Sequence, residues 1–381
     1  MLATERRPIL LANGRILDPS RNLDIEGDLL IADGLIREAK RGIGAAGVPE
    51  NTEIIDCSGN LIAPGLIDIR AFVGEPGAEY RETIASASQA AAAGGVTTIA
   101  CQPDTSPVID DPALVDFILR RALAYARDFD ALIVHHTENP DLVGEGVMNE
   151  GEFAARLGLA GIPTAAETIM LERDMRLVAL TGSRYHAASL TCAEALEVLR
   201  CAKEQGLKVT ASASINHLTL NELDVGPYRT FLKLCPPLRA EQDRVALVSA
   251  LACGLIDVVM SDHNPQDVEG KRLPFDEASP GAIGLETMLP AGLRLVHSGD
   301  IPLMTLIKAM SSTPAELLHL AGGNLRPGSP ADVIVVDLDA PWVLDPAALK
   351  SKCKNTPFDE ARLTGRVVRT IVAGRTVYEY V

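Results

Sequence analysis

The sequence predicts an α/β protein in which a parallel sheet is covered by helices. In three places a helical stretch ends at a glycine and passes directly into a run rich in β-branched residues. These are 84–93 before Gly94 and VTTIAC, 193–205 before Gly206 and KVTASAS, and 242–253 before Gly254 and IDVVM. Glycine is common directly after a helix, and repeated alternation of helix and strand is typical of parallel sheets with helices outside.

Two architectures fit this alternation. Residues 60 to 320 are long enough for eight units, which take roughly 250 residues in a (β/α)8 barrel. The apolar periodicity fits a closed barrel and an open doubly wound sheet equally well. No G-x-G-x-x-G motif follows the early strands, which disfavours the dinucleotide-binding form of the open sheet.

Short β segments occupy both ends of the chain. ILLANGRIL, GDLLIADGLIREA and TEIIDC lie between residues 8 and 57, and ADVIVVDLD and GRVVRTIVAGRTVYEY lie after residue 325. The Asn13-Gly14 and Asp33-Gly34 pairs are hairpin signals. We therefore expect residues 1–58 and 325–381 to form one composite, sandwich-like β-domain, and residues 59–324 to form the barrel.

The composition excludes several classes of protein. A formal net charge of −16 repels phosphate backbones and disfavours nucleic-acid binding. The apolar runs are too short for a membrane-spanning helix, and the N-terminus lacks the apolar core of a signal peptide. The seven cysteines are scattered without a C-x-x-C pair, which indicates buried free thiols in a cytoplasmic protein.

In a barrel, the active site lies where the strands end. Histidines and carboxylates that converge there can hold one or two divalent ions, which activate a bound water. The predicted strand ends of this chain carry a mixture of suitable and unsuitable ligands. The suitable residues are His217, Asp262 and His263, and the unsuitable ones are Arg70, Phe72, Asn139 and Ser189.

Eight stretches in order form a recognisable pattern: APGLIDI (63–69), EPGAEYRETIASASQAAAAGGVTTIACQPDTSPVID (75–110), LAGIPTAAE (159–167), PPLRAEQDRVAL (236–247), SDHNP (261–265), PGAIGLET (280–287), PADVIVVD (330–337) and NTPF (355–358). In these stretches the chain resembles the dihydroorotases of the cyclic amidohydrolase superfamily over nearly its whole length. The resemblance implies a (β/α)8 barrel with a composite β-domain. In an active member it also implies zinc and the interconversion of carbamoyl-aspartate and dihydroorotate in pyrimidine biosynthesis.

The resemblance implies that four of the family's metal positions are lost here. The two histidines of its His-x-His motif correspond to Arg70 and Phe72. The metal-bridging aspartate of His-Cys-Glu-Asp corresponds to Asn139, and the ligand in His-x-x-His-x-Ser corresponds to Ser189. A zinc site takes three or four good ligands, so we expect no bound metal at these positions.

Two metal positions are retained, namely His217 and the catalytic aspartate of the family, Asp262. The first histidine of His-x-x-His-x-Ser also survives, as His186. Without their metal partners, His217, Asp262 and His263 are more simply explained as members of structural hydrogen-bond networks. Asp262 is therefore a vestigial catalytic residue in this interpretation.

The substrate positions that the resemblance implies have changed as well. The arginine that follows His-x-His is Gly74, and the asparagine of Pro-Asn-Thr is Asp104. The asparagine before Pro-Pro-Leu-Arg is Cys235, and the second histidine of Asp-His-Ala-Pro-His is Gln266. Each of these replacements removes a group that would hold the substrate.

Arg70 places a permanent cation where the ion would lie, and like charges repel at short range. We predict that Arg70 replaces the lost metal charge by pairing with Asp262, and that Phe72 fills the volume vacated by an imidazole and the ion. If so, Arg70→Ala lowers the stability of the protein.

The leading prediction is a non-catalytic dihydroorotase-like protein that keeps the fold and needs no cofactor. Homologues of this kind resemble structural subunits that assemble with aspartate carbamoyltransferase, so the resemblance implies that partner. Dihydroorotases commonly dimerise, so it also implies a homodimer. A fold retained without its site is most simply explained by binding to a partner.

Two other functions stay open. One is an active cyclic amidohydrolase with a rearranged zinc site that uses His135 or His136 with Glu138, His217 and Asp262. Adjacent strand residues point to opposite faces, so only one of the two histidines can enter the barrel mouth.

The other open function is a sensor that binds a small carboxylate on Arg70.

A nucleophilic triad is not indicated, because Ser189 and Cys192 lack a recognisable base and orienting group.

Overall fold

The computed structural model describes residues 7–75, 77–101, 127 and 130–380. Asp104, one of the predicted substrate positions, lies outside these residues. The chain divides into two compact units, residues 1–101 with 283–381 and residues 102–282. Each unit is described by itself.

The strands of the described residues are β1 Ile9–Asp18, β2 Leu23–Ala32, β3 Leu35–Lys40, β4 Glu53–Asp56, β5 Leu61–Pro64, β6 Leu66–Ala71, β7 Val96–Cys101, β8 Leu132–His136, β9 Met148–Asn149, β10 Gly161–Ile162, β11 Arg184–Ala188, β12 Val209–Ser214, β13 Val258–Met260, β14 Val333–Val343, β15 Arg362–Val372 and β16 Arg375–Glu379.

The helices of the described residues are α1 Ile43–Ala46, α2 Ile84–Ala93, α3 Pro140–Val143, α4 Glu152–Leu157, α5 Ala165–Thr181, α6 Ala193–Glu204, α7 Ile215–Thr219, α8 Glu241–Ala252, α9 Val268–Arg272, α10 Met288–His297, α11 Leu303–Ile307 and α12 Thr313–Leu317. A π-helical turn, Lys308–Ser312, joins the last two. Within the described residues, no helix combines the length and the apolar character that a membrane span requires.

In the first unit, eight strands form one sheet in the order β16-β15-β14-β5-β1-β2-β3, with β4 beside β1. β1 runs antiparallel to β2 and parallel to β4 and β5, while β14 runs antiparallel to β5 and β15. Both ends of the chain therefore share one sheet, as the sequence predicts. Because β5 joins β1 to β14, the sheet also includes Leu61–Pro64, beyond the predicted domain boundary at residue 58.

One face of this sheet is the core of the β-domain. Leu11, Ile16, Leu29, Ile62 and Ile371 belong to one cluster there and are fully buried. They come from four strands of the sheet, β1, β2, β5 and β15. Burying such a side chain contributes about 1.5 to 3 kcal/mol of stability.

The two hairpin signals in this domain have different outcomes. Asp33 and Gly34 take positive φ values of 57° and 77° and form the turn between β2 and β3. Asn13 and Gly14 lie inside β1 at a register shift, so the hairpin predicted there is wrong. The backbone N–H of Asn13 donates to Asp28 Oδ1 at 2.9 Å, which satisfies the residue that the bulge removes from the ladder.

A separate parallel pair, β6 and β7, belongs to the same unit, and α2 lies between these strands in the chain. α2 begins at a capping box in which Thr83 and Ser86 satisfy each other's backbone groups. It ends at Gly94, where a side chain would collide with the backbone of Leu285. The predicted helix over 84–93 and the strand after it are confirmed.

The second unit contains four parallel strands in the order β13-β12-β11-β8. α6 follows β11 and α8 follows β12, so helix and strand alternate as predicted, and both helices match their predicted bounds within a residue. β12 and β13 are almost wholly buried, as expected for parallel strands covered on both sides. Their carboxyl ends lie at one edge of the sheet.

None of the seven cysteines forms a disulfide bond. The prediction that they are buried is wrong for four of the seven, because these lie on helix surfaces, at a strand end or in a loop rather than in the core. The exposed cysteines are Cys101, Cys201, Cys235 and Cys253, and the buried ones are Cys57, Cys192 and Cys353.

Candidate active site

β8 ends with two histidines on opposite sides of the sheet. His135 Nδ1 lies 2.6 Å from Asp174 Oδ2 on α5, and the hydroxyl of Tyr185 donates to the same carboxylate at 2.6 Å. Burial acts to raise the pKa of Asp174, but the hydrogen bonds from His135 and Tyr185 outweigh it and hold the pKa below its ordinary value. His135 therefore belongs to a structural network that faces the helices.

His136 contacts a different set of groups. His136 Nε2 lies 3.3 Å from Glu138 Oε2, and the Cys235 thiol donates to the same oxygen at 3.2 Å. Burial acts to raise the pKa of Glu138, but the hydrogen bonds from His136 and Cys235 leave the pKa below its ordinary value. A nitrogen, an oxygen and a sulfur ligand atom thus lie within 4.8 Å of one another.

Asn139, at the position of the bridging aspartate, is the N-cap of α3. Its Oδ1 accepts hydrogen bonds from the backbone N–H groups of Asp141 at 2.9 Å and Leu142 at 3.1 Å. Its Nδ2 lies 3.7 Å from Met170 Sδ. The amide is therefore committed to starting a helix, and an amide oxygen is a weaker zinc ligand than a carboxylate.

His186 is buried within the sheet. Its Nδ1 lies 2.8 Å from Thr210 Oγ1, and its Nε2 lies 3.1 Å from Ser212 Oγ. Burial lowers the pKa of His186 to about 3, so the ring is neutral at physiological pH. Both ring nitrogens are within hydrogen-bond distance of hydroxyls, so both are engaged by neighbouring strand residues.

Ser189 and Asp262 keep an unusual backbone at two strand ends. Ser189 has a φ of 63° and Asp262 a φ of 53°, which is the left-handed region that non-glycine residues rarely adopt. The hydroxyl of Ser189 is buried and has no hydrogen-bond partner among the described residues. Strained backbone of this kind clusters at functional sites, and both residues stand at positions that the resemblance implies for metal ligands.

His217 lies near Asp262. Its Nε2 donates to the backbone carbonyls of Pro236 at 3.1 Å and Pro237 at 3.2 Å. The ring is fully buried, which lowers the pKa of His217, while the negative charge of Asp262 opposes that shift. Its Nδ1 is buried without a partner among the described residues. The structure therefore brings the two retained metal positions together.

Arg239 is a buried cation that the sequence analysis did not single out. Its Nη1 donates to Ile162 O at 2.6 Å and its Nε to Thr191 Oγ1 at 3.1 Å, while its Nη2 has no partner in the described part of the chain. Its charge lowers the pKa of both Glu138 and His217. The sequence signal that could have identified Arg239 is its position in the PPLR stretch, one of the segments that carry the family resemblance.

The first unit holds the positions of the lost His-x-His motif, at and after the end of β6. The backbone N–H of Arg70 donates to Asp68 Oδ1 at 3.3 Å. The Phe72 ring packs against Arg81, whose guanidinium carbon lies 4.0 Å from the ring centre. A phenyl ring offers no lone pair to a metal, so Phe72 cannot be a metal ligand.

Gly74, at the position of the family's arginine, has no room for a side chain. Its φ is 81°, and a Cβ atom there would lie 2.7 Å from Glu82 O and 2.8 Å from Ala78 O. An arginine therefore requires the backbone around this residue to move.

The remaining predicted positions lie in loops. Gln266 donates its Nε2 to Pro280 O at 2.8 Å and to Asn264 Oδ1 at 3.1 Å, which ties down its own loop. The backbone N–H of the buried His263 donates to Ser261 Oγ at 3.1 Å.

Comparison with known proteins identifies the family to which the chain belongs. A model of the amidohydrolase family matches residues 35–377. A dihydroorotase from Syntrophotalea carbinolica is 40% identical over 423 aligned residues, which cover 97% of this chain and 99% of the relative. A dihydroorotase from Ehrlichia chaffeensis is 36% identical over 420 residues, covering 96% of this chain and 94% of the relative.

Solved structures define the fold. The L-hydantoinase from Arthrobacter aurescens superposes with a TM-score of 0.87 at 24% identity, over 97% of this chain and 96% of its own. The dihydropyrimidinase from Brevibacillus agri gives 0.84 at 21%, over 98% and 95%. The fold is the TIM-type amidohydrolase barrel with a composite β-domain. The chain belongs to the amidohydrolase family, and within that family it is dihydroorotase-like.

The residues at the metal positions implied by this family do not fit zinc. Arg70 and Phe72 offer no lone pair, the Asn139 amide caps a helix, and the Ser189 hydroxyl is a poor ligand at neutral pH. His217 and Asp262 alone are fewer than the three protein ligands of a catalytic zinc site.

Proposed function

We propose that this protein is a non-catalytic member of the dihydroorotase group that acts as a structural subunit in pyrimidine biosynthesis. The observation that supports it is the character of the residues at the four lost metal positions. Asn139 in particular caps a helix, because its side-chain oxygen accepts hydrogen bonds from two backbone N–H groups.

The electrostatics support the same proposal. Metal-assisted hydrolysis needs an ion that polarises a carbonyl and lowers the pKa of water. Arg239 is a permanent buried cation, and its charge acts on Glu138 and His217. Arg70 is a permanent cation at a position that the resemblance implies for a metal ligand. A fixed cation can balance a carboxylate but cannot generate a hydroxide nucleophile.

The proposed partner is aspartate carbamoyltransferase, with this chain as a homodimer inside the assembly. This part of the proposal rests on the family resemblance. The alignment covers 97% of this chain and 99% of the relative, and a maintained binding surface would explain a fold that is kept without its metal ligands.

A second candidate function is an active cyclic amidohydrolase with one relocated metal ion. The cluster of His136, Glu138 and Cys235 favours it, because the ligand atoms already lie within 4.8 Å of one another.

A turnover assay separates the two functions. Purified protein supplied with zinc is tested with dihydroorotate and with carbamoyl-aspartate, beside the Syntrophotalea carbinolica dihydroorotase as the positive control. We expect no turnover above the buffer background. Turnover that Asp262→Ala abolishes would contradict the non-catalytic proposal.

The partner is tested separately by sedimentation of this chain mixed with the aspartate carbamoyltransferase of the same organism. We expect a species heavier than either component. Independent sedimentation of the two proteins at micromolar concentration would contradict the structural role.

A further inference from the structure

We propose that His136, Glu138 and Cys235 form a mononuclear zinc site separate from the metal positions of the family. Neither the proposed structural role nor the family's metal positions require such a site. Glu138 and Cys235 come from segments almost a hundred positions apart in the chain, and the fold brings them together.

The distances fit a tetrahedral ion. With bonds of about 2.0 Å to nitrogen and oxygen and about 2.3 Å to sulfur, neighbouring ligand atoms in a tetrahedral site lie about 3.3 to 3.6 Å apart. Glu138 Oε2 lies 3.3 Å from His136 Nε2 and 3.2 Å from Cys235 Sγ. Small side-chain rotations are therefore enough to surround an ion.

The chemistry of the three ligands selects the metal. A thiolate, an imidazole and a carboxylate are all ligands that zinc accepts, whereas magnesium and calcium prefer oxygen alone. Binding converts the Cys235 thiol to a thiolate and releases its proton to solvent, while the Nε2 proton of His136 moves to Nδ1. The hydrogen bonds to Glu138 are replaced by three bonds to the ion.

Burial and access also fit. The Glu138 side chain is 8% exposed, and its Oε1 is buried without a hydrogen-bond partner among the described residues. The unpaired oxygen of this charged side chain is costly unless a cation or a water satisfies it. Cys235 is exposed and the His136 side chain is 31% exposed, so the ion has a route from solvent.

The charges around the cluster are compatible with a bound zinc ion. Arg239 is the nearby cation that opposes it, but the buried Glu167 also interacts with Arg239, so Glu138 is not the only counter-charge. Zinc bound by one thiolate and one carboxylate forms a neutral unit, so the loaded site has no net positive charge beside Arg239. Binding does neutralise the negative charge of Glu138, and the carboxylate of Glu167 remains to balance Arg239.

The test is metal binding by the full-length protein. Protein stripped with a chelator is titrated with zinc sulfate, dialysed and measured by elemental analysis, and cobalt is added in parallel to detect thiolate-to-cobalt charge transfer. Cys235→Ser is the decisive variant, because its hydroxyl can still donate to Glu138 but is a poor zinc ligand. Cys201→Ser, at an exposed cysteine on α6, is the matched control.

We expect about one zinc per chain in the unaltered protein and in the control. Cys235→Ser and Glu138→Gln should each weaken zinc binding by about 100-fold or more, and Cys235→Ser should abolish the charge-transfer band. Absence of bound zinc in the unaltered protein, or equal binding by Cys235→Ser and the control, would overturn the proposed site.

Zinc binding and dihydroorotate turnover, measured on the same preparation, distinguish this inference from the proposed function. If the protein binds no zinc and turns over no dihydroorotate, the zinc site is refuted and the non-catalytic function stands. If zinc-loaded protein turns over dihydroorotate and Cys235→Ser abolishes both binding and turnover, the site is supported and the non-catalytic function is refuted.

Discussion

The family resemblance implies a substrate-binding arginine at Gly74 and metal ligands at Asn139 and Ser189. In this structure, Gly74 and Asn139 instead determine the local backbone. Gly74 takes a backbone that excludes a side chain, and Asn139 starts a helix. The sequence predicts which ligands are lost, because identity at a motif position is visible in it. It does not predict the new hydrogen bonds, since these depend on tertiary neighbours. The pairing of Arg70 with Asp262 stays a prediction.

Gly74→Ala should destabilise the first unit strongly. A left-handed backbone costs an alanine about 1 to 2 kcal/mol, and the contacts of its Cβ with Glu82 O and Ala78 O at 2.7 and 2.8 Å add about 1 to 3 kcal/mol. Gly77→Ala is the matched control, because Gly77 also has a positive φ but nothing within 4 Å of its Cβ position. Urea unfolding measures both variants, and equal losses would show that position 74 has room for a side chain.

Asp174 should make stability depend on pH in the acid range. Its folded pKa is lowered, so its contribution is fully present above the ordinary pKa of about 3.9 and is lost as the pH falls through the lower folded value. Asp174→Asn should cost about 1 to 3 kcal/mol at pH 7, because it weakens buried hydrogen bonds from His135 and Tyr185.

The measurement for Asp174 is urea unfolding at a series of pH values from 7 to 3. The difference in unfolding free energy between Asp174→Asn and the unaltered protein should shrink towards acid pH. Glu172→Gln, at an exposed residue of the same helix, is the control and should change little. A difference that does not depend on pH would contradict the assigned charge state.

At the scale of elements, the helix and strand pattern was predictable where one local signal determines the structure. Helices that end at Gly94, Gly206 and Gly254 were located to within a residue. Asn13-Gly14 was not predictable, because Asp28 on the neighbouring strand stabilises a bulge that local sequence describes as a turn. The short helix α3 was missed, although Asn139-Pro140 is an N-cap followed by proline at the first helical position.

Asn139 gives a prediction at this scale, because its main role is to start α3. Asn139→Ala should cost about 1 kcal/mol through the loss of the cap. Asn139→Asp restores the acidic residue of the family and should leave the stability nearly unchanged, because aspartate caps a helix as well as asparagine does. Thermal unfolding measures both variants. Equal stability of the alanine and aspartate variants would show that the cap contributes nothing.

At the scale of the whole molecule, the alignment with a relative contains segments that this chain does not match. The alignment with the Syntrophotalea carbinolica dihydroorotase extends over 423 positions, whereas this chain has 381 residues, so the relative contains segments that have no counterpart here. The chain thus differs from this relative both in these segments and at the metal positions that the resemblance implies.

Restoring the lost ligands should therefore not restore the enzyme. A variant that combines Arg70→His, Phe72→His, Asn139→Asp and Ser189→His regains the metal positions implied by the family. It still lacks the arginine that Gly74 cannot become without backbone movement, and it lacks the additional segments of the relatives. Catalytic groups must be held in the productive geometry to accelerate a reaction, and an error of about 1 Å can cost 100-fold.

We expect this fourfold variant to bind more zinc per chain than the unaltered protein without gaining dihydroorotate turnover. Elemental analysis measures the metal, the turnover assay measures the activity, and circular dichroism confirms that the variant is folded. Turnover within about 100-fold of the Syntrophotalea carbinolica enzyme would show that the scaffold is still organised for catalysis and that four side chains alone separate it from an active dihydroorotase. Additional zinc without turnover would show that the four ligands alone are not sufficient for activity and that the scaffold no longer positions them for catalysis.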